Sequence, residues 1–176
     1  MYMRYVVLLR GINVGGRNKI AMPELESAVV DAGYADVSTY INTGNIFLAT
    51  DKPQEQIAQD IERIIQDAFG LDIYCLVRSK SHYDLMMNDI PDHWANDKDM
   101  KSDVMFLWSD VDGPEVLNQL PRTAVDTVMY SNGAVLWNVD RASQSTSGQL
   151  RLAGKKIYKQ MTIRNVNTAR TIATML

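Results

Sequence analysis

A chain of 176 residues that is 46% hydrophobic and 22% charged can bury a full core, which excludes a disordered chain and predicts a single compact domain over 1–176. No eighteen-residue apolar window is present, and the apolar N-terminal run is too short for a signal-peptide core, so no membrane contact and a cytoplasmic location are expected. The net charge of −3 conceals basic ends and an acidic middle, while the single cysteine, Cys75, excludes an internal disulfide and fits a reducing compartment.

The first element is the run Tyr5 to Leu9. Five consecutive apolar residues stopped by Gly11 are too few for a core helix and lack the alternation of a half-exposed strand, so they predict a central strand covered on both faces. A loop follows with Gly11, Gly15 and Gly16 among Arg10, Arg17 and Lys19. Pro23 then opens a helix that Gly33 stops, with Leu25, Ala28, Val29 and Ala32 on its apolar face. Asp36 to Ile41 and Ile46 to Thr50 form a hairpin joined by Asn42-Thr43-Gly44-Asn45. Pro53 begins a second helix, with Ile57, Ile61, Ile64 and Ile65 at helical spacing and Gly70 at its end, and Asp72 to Val77 follows as a strand. The order is βαββαβ, the split-βαβ, ferredoxin-like unit.

Ser81 predicts a cap for a short helix through about Asn88, and the polar stretch after it is the one joint the sequence suggests. Asp103 to Trp108 is then a strand, Pro114 to Leu120 a helix, and Val125 to Tyr130 with Ala134 to Val139 a second hairpin. Y-I-N-T-G-N-I-F-L at Tyr40 and Y-S-N-G-A-V-L-W at Tyr130 place tyrosine, asparagine and glycine in one order, which suggests an internal duplication with pseudo-repeats at about 1–89 and 101–176. A Ser/Gln-rich loop, a basic helix near Leu150 to Tyr158 and a final helix near Asn167 to Leu176 complete the chain. The expected class is α+β, with two fused ferredoxin-like halves and a C-terminal helical segment.

Three motifs carry a family resemblance: L-L-R-G-I-N-V-G-G at Leu8 to Gly16, Y-I-N-T-G-N at Tyr40 to Asn45, and T-I-R-N-V-N-T at Thr162 to Thr168. Together they resemble an uncharacterised bacterial family, domain of unknown function 1697. The resemblance implies the same α+β arrangement and no particular activity. Members often carry tryptophan where this chain has Val166, so a stacking role there is not carried over.

The charge split is steep. Residues 1–20 sum to +4 and residues 141–176 to +7, neither holding an acid, whereas 21–140 sum to −14. Such polarity marks contact with phosphate or nucleic acid, or serves packing of the ends against the middle.

The loop Gly11 to Asn18 is close to the phosphate-binding pattern G-x-x-x-x-G-K-[ST]. Arg17 stands where the lysine should be and Asn18 where the metal-binding hydroxyl should be, so a full P-loop is not expected. Its glycine amides can still take an anion, and a tight connection with surface arginines is the plainer alternative. Ferredoxin-like pairing predicts that Arg10, Asn13, Gly15, Gly16, Arg17 and Asn18 neighbour Asn42, Thr43 and Asn45 in one polar rim, although turns use such residues anyway. At the far end, Arg164, Asn165 and Asn167 combine an anion clamp with helix capping, for which Asn167 or Thr168 is the candidate.

Cys75 shares a strand face with Ile73 and Val77 and reads as a core thiol. His82 and His93 lack a second ligand at metal spacing, so no metal and no cofactor is expected. Neither a G-x-S-x-G elbow nor the aromatic RNA-binding signature occurs. Three readings stay open: a binder of a phosphorylated or other anionic ligand, nucleotide or nucleic acid; an enzyme on a small anionic metabolite, with no catalytic residue identified; and a structural or interaction protein.

Overall fold

The N-terminal apolar run becomes β1 (Met3–Leu9), and Tyr5 through Leu9 are each at most 1% exposed, so both strand faces are covered. The computed structural model describes all 176 residues. Their contacts divide the chain into two compact units, one of Met1–His82 with Thr174–Leu176 and one of Tyr83–Ala173.

In the first unit β1 is followed by α1 (Met22–Asp31), β2 (Ala35–Tyr40), β3 (Asn45–Thr50), α2 (Gln54–Phe69) and β4 (Cys75–Ser79). The sheet order is β2-β3-β1-β4, antiparallel throughout, as a split-βαβ unit requires. One face of the sheet, with Tyr5, Val7, Leu9, Ile46 and Leu48, packs with Leu25 and Val29 of α1 and Ile57, Ile61 and Ile65 of α2. Spacing of four puts those isoleucines on one stripe, and burial of each contributes about 1.5–3 kcal/mol. Gly70 ends α2 in the left-handed region at φ 68, its N–H donating to Gln66 O.

The helix α3 (Lys80–Met87) runs from one unit into the other. The second unit then holds β5 (Met100–Leu107), two short 3-10 stretches, β6 (Thr127–Ser131), β7 (Ala134–Asp140), 3-10 turns over 141–160, β8 (Met161–Asn165) and, up to Ala173, α4 (Val166–Met175). Its sheet order, β6-β7-β5-β8, repeats that of the first. The match extends to single bonds. Leu9 N–H donates to Gly44 O at 2.8 Å and Leu107 N–H to Gly133 O at 2.9 Å; Arg10 N–H reaches Tyr74 O at 3.1 Å and Trp108 N–H reaches Gln160 O at 3.0 Å. Tyr5 pairs with Ser79 as Asp103 pairs with Asn165, so Tyr5 and Asp103 are equivalent positions, as are Arg78 and Arg164. The fold is therefore α+β with two similar ferredoxin-like halves and a C-terminal helix.

Several elements differ from the sequence expectation. β4 begins at Cys75 rather than Asp72, because β1 offers its last pairing partner, Leu9, to Cys75. β8 lies in a stretch expected to be loop and helix lead-in; at five residues on a sheet edge, it is too short to set a period. The expected helices at Pro114 to Leu120 and Leu150 to Tyr158 are 3-10 turns, the latter broken at Lys155. Ser79, not Ser81, holds the start of α3, its Oγ accepting from His82 N–H at 3.3 Å. The boundary between units falls at His82 rather than in the polar stretch after Asn88.

Candidate functional site

The loop after β1 builds its own scaffold. Asn13 N–H donates to Asn18 O at 3.0 Å and Arg17 N–H to Val14 O at 3.0 Å, closing a two-residue turn with Gly15 (φ 58) and Gly16 (φ 75) at its tip. Both central residues have positive φ, the type I′ geometry that Gly-Gly satisfies without a Cβ penalty. Asn13 and Asn18 also sit at positive φ, 52 and 48, which asparagine tolerates better than most residues.

Their amides lock the loop. Asn13 Oδ1 accepts from Ile20 N–H at 2.9 Å while its Nδ2 donates to Ile20 O and Asn42 O, at 3.0 and 2.9 Å, and Asn18 Nδ2 donates to Gly11 O at 2.8 Å. The bond to Asn42 joins the loop to the β2–β3 turn, so Arg10 to Asn18 and Asn42 to Asn45 do lie at one end of the first sheet.

Within that turn the roles separate. Asn45 is fully buried, with Nδ2 donating to Tyr40 O at 2.9 Å and Thr43 Oγ1 at 3.3 Å, so it supports the turn from inside. Asn42 and Thr43 are exposed. Ile41 is held at φ 51, an outlier for a β-branched side chain, which places backbone strain beside the loop.

Charge is concentrated on the loop's outer side. Arg17 and Lys19 are exposed and pair with no acid, and the Gly15 and Gly16 amides have no partner in the chain. Arg10 is half-buried and is engaged by other groups. α1 starts only at Met22 and its N-cap is Ala21, so the helix does not start directly from the glycines as a P-loop requires.

The third motif belongs to the second unit. Arg164 is 5% exposed and folds back to donate to Thr162 Oγ1 at 3.0 Å and Ile163 O at 2.9 Å. Burial lowers its pKa to about 10, which the nearby Tyr83 partly opposes. Arg78, its equivalent on β4, is 8% exposed and donates to Val77 O at 3.1 Å in the same way. Asn165 Oδ1 accepts from Thr168 N–H at 3.0 Å, so Asn165, rather than Asn167 or Thr168, caps α4. Asn167 pins Asn96, accepting from its N–H at 3.2 Å and donating to its O at 2.9 Å. Arg170 is spent on Pro91 O, Asp92 O and Trp94 O.

Cys75 is 5% exposed with its Sγ donating to Ala58 O at 3.5 Å; burial pushes the thiol up, and Glu62 adds to it. A thiol so protonated is a poor nucleophile. No group of three His, Cys, Asp or Glu side chains is placed to hold a metal ion. Nor is any helix long and apolar enough to cross a membrane.

One cluster went unread in the sequence. Lys101 and Asp103 alternate with Met105 and Leu107, which places two charged residues on the face of β5 that turns to the core. The buried Asp103 accepts from Lys101 Nζ and from Gln149 Nε2. Polar residues in a core-facing register were the available signal.

Comparison with curated proteins finds no match. Among solved structures, a conserved bacterial protein from Streptococcus pneumoniae is similar over 99% of both chains, with a TM-score of 0.86 and 26% identity. The family model described as protein of unknown function, DUF1697, matches residues 3–137, and the chain belongs to that family.

Proposed function

We propose that the protein binds a phosphorylated or similarly anionic ligand in the cytoplasm, at the hairpin loop Gly11 to Asn18. One observation carries this reading. The loop is fixed by its own asparagines, yet the cations Arg17 and Lys19 and the amides at its tip have no partner within the protein. Preorganised donors bind an anion without a further ordering cost, and arginine offers a paired, planar grip on phosphate oxygens. No acid in residues 1–20 opposes the field.

Asn13, Asn18 and Asn45 act as scaffold in this reading, with Asn42 and Thr43 on the rim. The C-terminal segment contributes less than its charge suggests, since Arg164 and Arg170 serve its interior; its exposed cations are Arg151, Lys155, Lys156 and Lys159. The shared register of the two sheets supports an origin by internal duplication, with only the first copy keeping the glycine loop.

Titration with inorganic pyrophosphate by calorimetry at low ionic strength tests the site. Arg17→Glu with Lys19→Glu should weaken binding about tenfold or more, as expected for loss of charge-assisted hydrogen bonds. Lys155→Glu with Lys156→Glu should leave affinity within about twofold, the span of a screened surface charge. Equal loss from both pairs would overturn the loop as the binding site.

A further inference from the structure

The two units differ where they should match. Between β3 and β4 the first unit runs the sixteen-residue α2, whose Ile57, Ile61 and Ile65 pack on the sheet. Between β7 and β8 the second unit has three separate 3-10 stretches, Arg141–Thr146, Gly148–Gly154 and Lys156–Gln160, which bring only Leu152 and Ile157 as buried large side chains. Short 3-10 turns cannot present a continuous stripe, so they cover a sheet face less completely than an α-helix. A cleft of about 210 Å³ results, lined by Lys101, Gln144, Gln149, Leu152, Tyr158 and Ile163 among others.

The polar residues at this cleft are not demanded by the fold. Asp103 occupies the position that Tyr5 fills in the first unit, where an apolar ring serves the same sheet. Burying a carboxylate there is costly unless it is paired. Lys101 and Gln149 satisfy it, and they leave Lys101, 26% exposed along its side chain, at the cleft with two further ammonium hydrogens. Gln144 is held through its Oε1 by Arg141 Nη1 at 3.0 Å, which leaves its Nε2 as a second donor. Asp126, behind Ser147, is already saturated by its own donors. The rest of the wall is mostly apolar, with Leu150, Leu152, Ala153 and Ile163, beside the Tyr158 ring and Ser147, whose hydroxyl is already bonded to Asp126 and Gln149.

We infer that this cleft is a binding site for a small carboxylate with a short apolar body, its head on Lys101 and Gln144 and its chain against Leu152, Ala153 and Ile163. The volume is below the roughly 300–1,000 Å³ of sites for drug-sized molecules, so a metabolite-sized ligand fits. None of the side chains lining the cleft is acidic, and Asp103 behind them is already engaged by Lys101 and Gln149, which favours an anionic head over a neutral one. This site is independent of the anion-binding loop, which lies in the other unit.

The test uses hexanoate, hexanol and acetate as probes, with methyl NMR spectra of the whole protein as readout. Hexanoate should move the Leu152, Ala153 and Ile163 methyls saturably, and hexanol and acetate should each bind about tenfold more weakly or worse, lacking the charge or the chain. Lys101→Gln should reduce hexanoate to the level of hexanol, and Ala153→Phe should block both. Equal binding of hexanoate and hexanol to the unmodified protein would overturn the inference, as would hexanoate leaving these methyls unmoved. That comparison decides the matter even where a variant fails to fold.

Discussion

Gly44→Ala should destabilise the protein by about 3 kcal/mol, through left-handed backbone strain of about 1–2 kcal/mol and overpacking of similar size. Gly44 has φ +88, and an added Cβ would stand 2.7 Å from Leu9 Cβ and 2.8 Å from Ile12 Cδ1. Ile12 can turn its terminal methyl away. Leu9 Cβ cannot follow, because Leu9 N–H is bonded to Gly44 O and the strand is paired on both sides. Loss of about 6–12 °C in Tm follows from that energy for a chain of this size. Gly15→Ala, at φ +58 but with open space around the new methyl, should cost only about 1–2 kcal/mol. Thermal unfolding followed by circular dichroism checks the pair, and a Gly44 variant no worse than the Gly15 variant would refute the packing argument.

Asp126→Ala should cost about 3–5 kcal/mol, because it orphans several donors at once and each buried one is worth about 1–3 kcal/mol. Asp126 Oδ1 accepts from Trp137 Nε1 at 3.0 Å and Ser147 Oγ at 2.5 Å; Oδ2 accepts from the N–H groups of Thr123 and Gly148, both at 2.8 Å, and from Thr123 Oγ1 at 3.0 Å. Trp137 is fully buried and Ser147 nearly so. Each carboxylate oxygen faces at least one N–H that cannot accept, Trp137 Nε1 on Oδ1 and the Thr123 and Gly148 amides on Oδ2, so Asp126→Asn fails as well, setting its NH₂ against an N–H in either orientation.

Burial pushes the Asp126 carboxyl up, but the hydrogen bonds led by Ser147 outweigh it and the net shift is downward. A carboxyl lowered on folding contributes stability above its unfolded pKa of about 3.9 and loses it as pH falls through the folded value. The gap in urea-unfolding free energy between the native protein and Asp126→Ala should therefore be full at pH 7 and narrow as pH falls below about 4, as the charge-dependent part is lost. A gap unchanged between those limits would show that the charge of Asp126 does not matter.

The first half of the fold was legible because its signals agree. Pro53, the isoleucine stripe and Gly70 all specify α2, and Tyr5 to Leu9 specify a covered strand. The second half carries weaker versions of the same signals. Without an isoleucine stripe, residues 141–160 fold as 3-10 turns around Leu152 and Ile157, and β8 is too short to display a period.

The site divided along a different line. Neighbourhood of the glycine loop and the Asn42 turn followed from strand order alone, and the Asn13 bond to Asn42 is its detail. What sequence could not distinguish was exposed from internal cations. Arg17 and Arg164 look alike in a string, but Arg164 is buried on an edge strand, on the face opposite to Ile163, and Arg17 closes an exposed hairpin tip. Asp103 was hidden by the same ambiguity, since its equivalence to Tyr5 emerges only from the paired registers.

The most direct measurement is an amide NMR titration of the whole protein with inorganic pyrophosphate. The anion-binding reading predicts saturable shifts centred on Gly15, Gly16 and Arg17, with Asn13 and Asn18 moving little because their bonds already hold the loop. Shifts confined to Lys155 through Lys159, or none at the Gly15 and Gly16 amides at saturating pyrophosphate, would contradict it.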